Sequence, residues 1–223
     1  PVGGPLNLAD GELDRITTGK LVIGNTVSGA ITVSNPITRP SQTDVTLITS
    51  GSINLNASSL NTAGGLLTFQ ATQGVNPTVA GVDVQVGTVG FAPGTALNIH
   101  IIGSLPDVGY PQLNVEGAVN LTGSKLTLTG SFIQPQCIPV MIIKNDGADP
   151  VIGNFNGLPE GFVFVNYLGS GKNVSISYVG GDGNDVVLIE RVIPIVACPA
   201  NIVKPNDFGF CGREISFLGT PLV

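Results

Sequence analysis

Short runs of alternating apolar and polar residues, separated by glycine, recur along most of this 223-residue chain. Residues 45–48 read Val-Thr-Leu-Ile, and residues 82–86 read Val-Asp-Val-Gln-Val. Alternation with a period of two places apolar side chains on one face of a strand. Charged residues are only 11% of the chain, and the residues that favour long helices are scarce. The pattern predicts an all-β fold of short strands, with one short helix within residues 8–17.

The runs divide the chain into three sections. Residues 1–105 fit the coils of a right-handed parallel β-helix, in which each coil stacks on the last. An array of strands in an antiparallel β-sandwich would explain the same alternation. Residues 106–192 contain alternating runs joined by tight links, which predicts an antiparallel β closing section. The character of the sequence changes after Arg191, so residues 193–223 are interpreted as a linker and the start of a new module.

The net charge and the hydropathy pattern exclude several classes of partner. The formal charge is −6 and no basic stripe is present, which argues against binding to nucleic acid or to anionic membrane surfaces. No apolar run approaches the roughly 20 residues that a membrane-spanning helix needs, so no membrane insertion is expected.

The three cysteines, Cys137, Cys198 and Cys211, do not have the spacing of a metal site or of a redox motif. Cys198 and Cys211 are close enough in sequence to form a disulfide with each other. Alternatively, each pairs with a cysteine beyond Val223. In the first case Cys137 is a lone thiol, packed as a small apolar residue.

A turn made of Gly, Asp and Asn lies between two β-branched runs at residues 180–185. Residues 180–188 fit the nonapeptide of calcium-binding β-rolls, and Asp182, Asn184 and Asp185 are its candidate calcium ligands. The competing interpretation is a plain hairpin turn, in which these residue types supply positive φ angles. Asp146 and Asp149 form a second acidic turn with the same two interpretations. Apart from calcium, no cofactor is predicted.

No pattern in the sequence predicts catalysis. His100 is the only histidine, and its place between Ile99 and Ile101 predicts a solvent-facing strand residue. No Gly-x-Ser-x-Gly motif is present. Polysaccharide-cleaving β-helices carry acids and basic residues on matching coils, and no such cluster is evident here. We therefore expect a protein that is not an enzyme.

Two stretches resemble segments of known surface proteins. Residues 6–16, followed by residues 29–33, resemble the β-helix of bacterial filamentous haemagglutinins and related autotransporter-like proteins. Residues 145–161 are similar to the block that closes such arrays, which ends in a Gly-Gly-Asp-Gly-Asn-Asp-Val-Val turn like that at residues 180–187. The likeness covers residues 1–190.

A third stretch lies in the last section. Residues 198–202, Cys-Pro-Ala-Asn-Ile, together with Cys211-Gly212, look like the opening of a hyalin-repeat module, which is an immunoglobulin-like adhesion domain. Such a module continues well beyond the length left here, so the likeness implies only a partial module.

These resemblances imply a structural or adhesive module of a large bacterial extracellular surface protein, located at the cell surface and contacting neighbouring modules. Ile215 and Phe217 are apolar although the rest of their module is missing, so residues 213–223 are a candidate segment for self-association into a fibre or filament. The alternative function is a carbohydrate-binding module with a glycan partner, and the third is a polysaccharide lyase or hydrolase.

Overall fold

A computed structural model describes residues 7–57, 59–78, 80–135 and 137–191, together with Phe208. Internal contacts divide the chain into two units, residues 1–191 and residues 192–223, and the description below is of the first unit. The predicted Cys198–Cys211 disulfide, the hyalin-repeat-like segment and the candidate assembly segment 213–223 lie outside the described residues.

The first unit is almost entirely β, with 47% of the described residues in strands and 4% in helices, which confirms the predicted fold class. Of the helix predicted within residues 8–17, only Asp10–Leu13 is helical, and a short 3-10 helix spans Tyr167–Gly169. In chain order the elements are α1 (Asp10–Leu13), β1 (Lys20–Gly24), β2 (Ile31–Val33), β3 (Ile37–Thr38), β4 (Asp44–Thr49), β5 (Ile53–Leu55), β6 (Ser59–Asn61), β7 (Leu66–Ala71), β8 (Val75–Pro77), β9 (Val82–Phe91), β10 (Ala96–Ile101), β11 (Leu113–Asn120), β12 (Lys125–Gly130), β13 (Val140–Asn145), β14 (Val151–Ile152), β15 (Val163–Phe164), β16 (Val174–Gly180) and β17 (Asp185–Glu190).

The strands up to β14 stack in parallel to form three faces of a β-helix. The first face contains β1, β4, β7, the end of β9, the end of β11, and β14. The second contains β2, β5, β8, β10 and β12. The third contains β3, β6, the start of β9, the start of β11, and β13. Because these neighbouring strands are parallel, the β-helix replaces the antiparallel sandwich as the description of this part.

Strands β9 and β11 each run across a corner from the third face to the first, and glycine makes that bend possible. A side chain at Gly87 would collide with the carbonyl of Gly64 in the previous coil, and one at Gly117 would collide with the carbonyl of Val86. Gly117 also has a φ of 104°, a conformation that other residues rarely adopt.

The prediction of antiparallel pairing from residue 106 onward is wrong for β11 and β12, which pair in parallel with β9 and β10. The tight link between β11 and β12 turns a corner inside one coil instead of forming a hairpin. Antiparallel pairing begins where β17 pairs with β13, and continues through β16 and β15.

Inward-facing aliphatic side chains from successive coils stack into the core. Ile53, Val75 and Leu97 lie in register on β5, β8 and β10, and each is fully buried. Phe69 and Phe91 add an aromatic pair with ring centroids 5.5 Å apart. Burial of these columns is the main stabilising contribution, because each coil covers the apolar surface of the next.

Different structures cover the two ends of this stack. At the first coil, Arg39 is buried and donates through Nη2 to the Ile16 carbonyl at 2.7 Å, while Nη1 donates to the Leu13 carbonyl. At the last coil, the Tyr178 hydroxyl donates to the Leu158 carbonyl at 2.7 Å and accepts from the Phe155 amide at 3.2 Å. Both coil ends are therefore tied to segments that are not part of the parallel stack.

Within the part of the chain that the structure describes, no helix has both the length and the apolar character required to cross a membrane.

Candidate functional site

A polar groove of about 490 Å³ lies on the outer surface of the third face. Val84 and Val115 point inward and are buried, so their neighbours on β9 and β11 point outward and form the floor. The lining residues are Asp83, Val84, Gln85, Asp107, Gln112, Asn114, Val115, Glu116, Lys144 and Asp146.

One row of the floor runs across three successive coils. Asp83 is in register with Asn114, and Asn114 is in register with Lys144. The Asn114 Nδ2 donates to the Asp83 Oδ1 at 2.8 Å. This row places an acid and a basic residue in one column two coils apart, with Asn114 between them. The three residues are far apart in sequence and meet only through strand register.

A second row lies two residues further along the same strands. The Asn61 Nδ2 donates to Gln85 Oε1 at 2.8 Å, and the Gln85 Nε2 donates to Glu116 Oε1 at 3.1 Å. Each amide is therefore fixed in orientation by its neighbour in the next coil. The row presents a pre-ordered line of polar groups instead of independent flexible side chains.

Loops supply further acids to the lining. The main-chain N–H of Gln112 donates to Asp107 Oδ1 at 3.3 Å, and the main-chain N–H of Gly117 donates to Asp146 Oδ1 at 3.3 Å. Gln112 is itself buried, and its Nε2 donates to the Met141 carbonyl at 2.8 Å.

The groove has an excess of negative charge. Its four carboxylates, Asp83, Asp107, Glu116 and Asp146, each accept a hydrogen bond from an uncharged donor. Among the residues that the structure describes, Lys144 forms no ion pair with any of them. The groove therefore offers mainly hydrogen-bond acceptors, and it suits a ligand that carries many donors.

The predicted calcium turn forms the tight end of an antiparallel hairpin between β16 and β17. Asp182 is exposed, whereas Asn184 and Asp185 are buried. The Asp185 Oδ1 accepts a hydrogen bond from the main-chain N–H of Asn145 at 2.8 Å. Burial raises the pKa of Asp185, the hydrogen bond from Asn145 opposes that change, and the charge of Asp182 adds to it.

The structure brings this turn together with the second acidic turn at residues 146–149. The Asn184 Nδ2 lies 2.8 Å from the Asp149 carbonyl oxygen, 3.2 Å from that of Gly147 and 3.4 Å from that of Asp146. The Asn145 Nδ2 also donates to the Asp149 carbonyl, at 2.6 Å. Sequence reasoning singled out both turns but had no signal that they meet.

Two oxygen atoms at this junction are buried without a partner. Oδ1 of Asn145 and Oδ1 of Asn184 have no hydrogen bond, although the residues are only 1% and 8% exposed. A buried acceptor in this state costs about 1–3 kcal/mol. Among the described residues, no group of three or more His, Cys, Asp or Glu side chains is placed to hold a metal ion. The oxygen atoms that converge at this junction are the main-chain carbonyls of Asp146, Gly147 and Asp149.

His100 and Cys137, the other candidate residues from the sequence, lie outside both the groove and the junction of the two acidic turns. His100 is exposed, as predicted, and its Nδ1 lies 3.1 Å from Thr129 Oγ1. Cys137 is exposed with its thiol unpaired, so its predicted role as a buried apolar residue is wrong. It follows Pro135 in a loop where no strand directs its side chain toward the core.

Comparison of this chain with protein-family models, with curated proteins and with solved structures finds no match in any of the three.

Proposed function

We propose that this chain is a structural and adhesive module of a bacterial extracellular surface protein. The observation that carries the proposal is the parallel stack of coils, closed at both ends by segments outside the stack. Such a stack pairs its backbone groups from coil to coil and can hold binding surfaces at fixed spacing. The likeness of residues 1–190 to haemagglutinin-type proteins points in the same direction.

The outer surface of the second face supports a mechanical role. Asn54, Asn76 and Asn98 occupy one column on three coils. The Asn76 Nδ2 donates to the Asn54 Oδ1, and the Asn98 Nδ2 donates to the Asn76 Oδ1, at 2.8 Å in both cases. This ladder links side chains along the stack in addition to the backbone bonds. It stiffens the coils without adding charge.

An adhesion assay tests the proposal. Beads coated with the full chain should be retained on bacterial or host cells under flow more strongly than beads coated with an unrelated all-β protein of matched net charge. Soluble chain added in excess should compete with this retention. Equal retention of the two bead types would refute the adhesive role.

Assembly into fibres through residues 213–223 is a separate proposal that rests on sequence alone. Sedimentation of the full chain and of a chain ending at Ala197 tests it. Assembly of the full chain, together with loss of assembly in the shortened chain, is the expected result. If both chains sediment as the same monomer, or both assemble, these residues do not drive the process.

A carbohydrate-binding function is the second candidate, and the groove on the third face favours it. Sugar hydroxyls are donors, and the groove offers fixed carboxylate and amide acceptors. Binding to a glycan array should weaken in Glu116→Ala but not in Thr129→Ala, which changes an exposed polar residue on the second face. Release of reducing sugar from a bound polysaccharide would instead support the lyase or hydrolase candidate.

A further inference from the structure

Main-chain oxygen atoms converge at the junction of the two acidic turns. The carbonyls of Asp146, Gly147 and Asp149 all lie within 3.4 Å of the Asn184 Nδ2. An amide nitrogen has two hydrogen atoms, so it cannot satisfy three acceptors with good geometry. The Asn145 nitrogen competes for the Asp149 carbonyl as well. The position of the Asn184 nitrogen is therefore one where oxygen lone pairs exceed the donors available.

The two unpartnered side-chain oxygens supply an independent argument. Asn145 and Asn184 each direct an amide nitrogen to the carbonyls and leave a buried oxygen without a partner. The nitrogen and the oxygen of an amide exchange places when it turns about its last side-chain bond. After that turn, both oxygens would join the carbonyls. Five oxygens would repel one another unless a cation lay between them.

We propose that a calcium ion binds at this junction, held by the carbonyl oxygens of Asp146, Gly147 and Asp149 and by the side-chain oxygens of Asn145 and Asn184. Calcium takes six to eight oxygen ligands, and carbonyl and amide oxygens are among those it uses. The remaining positions are available to water. This arrangement differs from a β-roll site, because its ligands come from a hairpin turn and a separate loop instead of two successive nonapeptides.

The charges around the junction favour a cation of modest affinity. Four carboxylates, those of Asp146, Asp149, Asp182 and Asp185, belong to the two turns, and Lys144 is the basic residue beside them. None of these carboxylates is among the proposed ligands, so their negative charges would balance the charge of the ion without contacting it. Sites with few charged ligands bind calcium with a Kd of roughly 10⁻⁴–10⁻³ M, the range of extracellular modules.

The test is thermal unfolding of the full chain in EDTA, in CaCl2 and in MgCl2 at equal ionic strength, with isothermal titration of CaCl2 into the folded chain. Calcium should raise the melting temperature of the wild type. When its concentration is ten times Kd, the ratio of folded to unfolded chain increases about 11-fold. Magnesium should have a smaller effect, because it is smaller and demands octahedral geometry.

The variant Asn184→Asp distinguishes a cation site from a turn with a purely structural role. Without calcium, its carboxylate oxygens face three carbonyls and the melting temperature should fall. With calcium, the added charge should strengthen binding, so the variant should gain more from calcium than the wild type does. The matched control is Asn76→Asp, which changes an asparagine that is hydrogen-bonded on the second face. Its response to calcium should equal that of the wild type.

Two results would overturn the proposal. One is a wild type whose melting temperature and titration show no response to millimolar CaCl2 beyond that to MgCl2. The other is an Asn184→Asp variant that is destabilised equally in EDTA and in calcium. If Asn184→Asp is unfolded in EDTA, recovery of its β-type circular dichroism on addition of CaCl2 supports the site, and failure to recover counts against it.

Discussion

Replacing Gly117 by alanine tests whether the corners of the coils depend on close backbone contact. Gly117 has a φ of 104°, and a Cβ atom there would collide with the carbonyls of Val86 and Gly87 in the previous coil. The positive φ costs an ordinary residue about 1–2 kcal/mol. Relief of the collision costs about 1–3 kcal/mol more, as for an overpacked core. After the offset of about 0.4–1 kcal/mol that alanine brings by restricting the unfolded chain, the free energy of unfolding should fall by about 1–5 kcal/mol.

Two matched variants divide that cost into its parts. Gly94 has a φ of 85°, and no atom lies within 4 Å of the place that a Cβ would occupy, so Gly94→Ala carries only the conformational cost. Alanine also restricts the unfolded chain, which offsets about 0.4–1 kcal/mol, and leaves a net loss of about 1 kcal/mol. Gly87 lacks the positive φ but would collide with the Gly64 carbonyl, so Gly87→Ala carries only the packing cost.

Thermal unfolding followed by circular dichroism measures all three variants. A loss of 1 kcal/mol lowers the melting temperature of a chain of this size by about 2–4 °C. Gly94→Ala should show a shift of that order, and Gly117→Ala a larger shift, up to about five times as large. If Gly117→Ala is no less stable than Gly94→Ala, the close contact at the corner does not constrain the fold, and the reasoning is wrong.

Two further predictions concern the closing section. Tyr178→Phe removes the bond to the Leu158 carbonyl and leaves the buried Phe155 amide without its acceptor, so denaturant unfolding should show a loss of about 1–3 kcal/mol; an unchanged midpoint would contradict this role. Burial raises the pKa of Asp185 in the folded chain, so the folded state holds its proton more tightly than the unfolded state. The contribution of Asp185 to stability should therefore be present at acidic pH and decline as pH rises from its ordinary value through the raised one. The free energy of unfolding of both chains should be measured in EDTA from pH 3 to 7. The decline should be absent in Asp185→Asn, and the same pH profile in both chains would refute the assignment.

The fold class could be predicted from sequence because alternation of apolar and polar residues with a period of two is characteristic of strands. The direction of the strands could not, since a run such as residues 125–129 reads the same in a hairpin and in a coil. The regular spacing that identifies coils is also interrupted. Asn54, Asn76 and Asn98 repeat evenly, but the loops after Ile101 and Gly130 lengthen the next two coils and hide the period.

The candidate sites were even less predictable from sequence than the direction of the strands. The groove residues Asp83, Glu116 and Lys144 look unrelated in sequence, and strand register alone makes them neighbours. The acidic turn at residues 182–185 was visible because its residue types are unusual. Its contact with the turn after Asn145 depends on β17 pairing with β13 across more than forty residues, and no local pattern reports a pairing of that kind.

The even repeat of the early coils has a consequence for how such a protein could change in length. Residues 44–65 and residues 66–87 are successive coils, and β4 pairs with β7 in the same parallel register as β7 with the end of β9. With residues 44–65 duplicated, the outer sides of the two copies would meet the coils that the original already meets, and only the contact between the copies would be new. The buried Arg39 and the closing section that contains Tyr178 would be untouched. Gain or loss of such a segment would change the distance between the ends by about 4.8 Å, so reach could vary in fixed steps while the structures that close the stack remained the same.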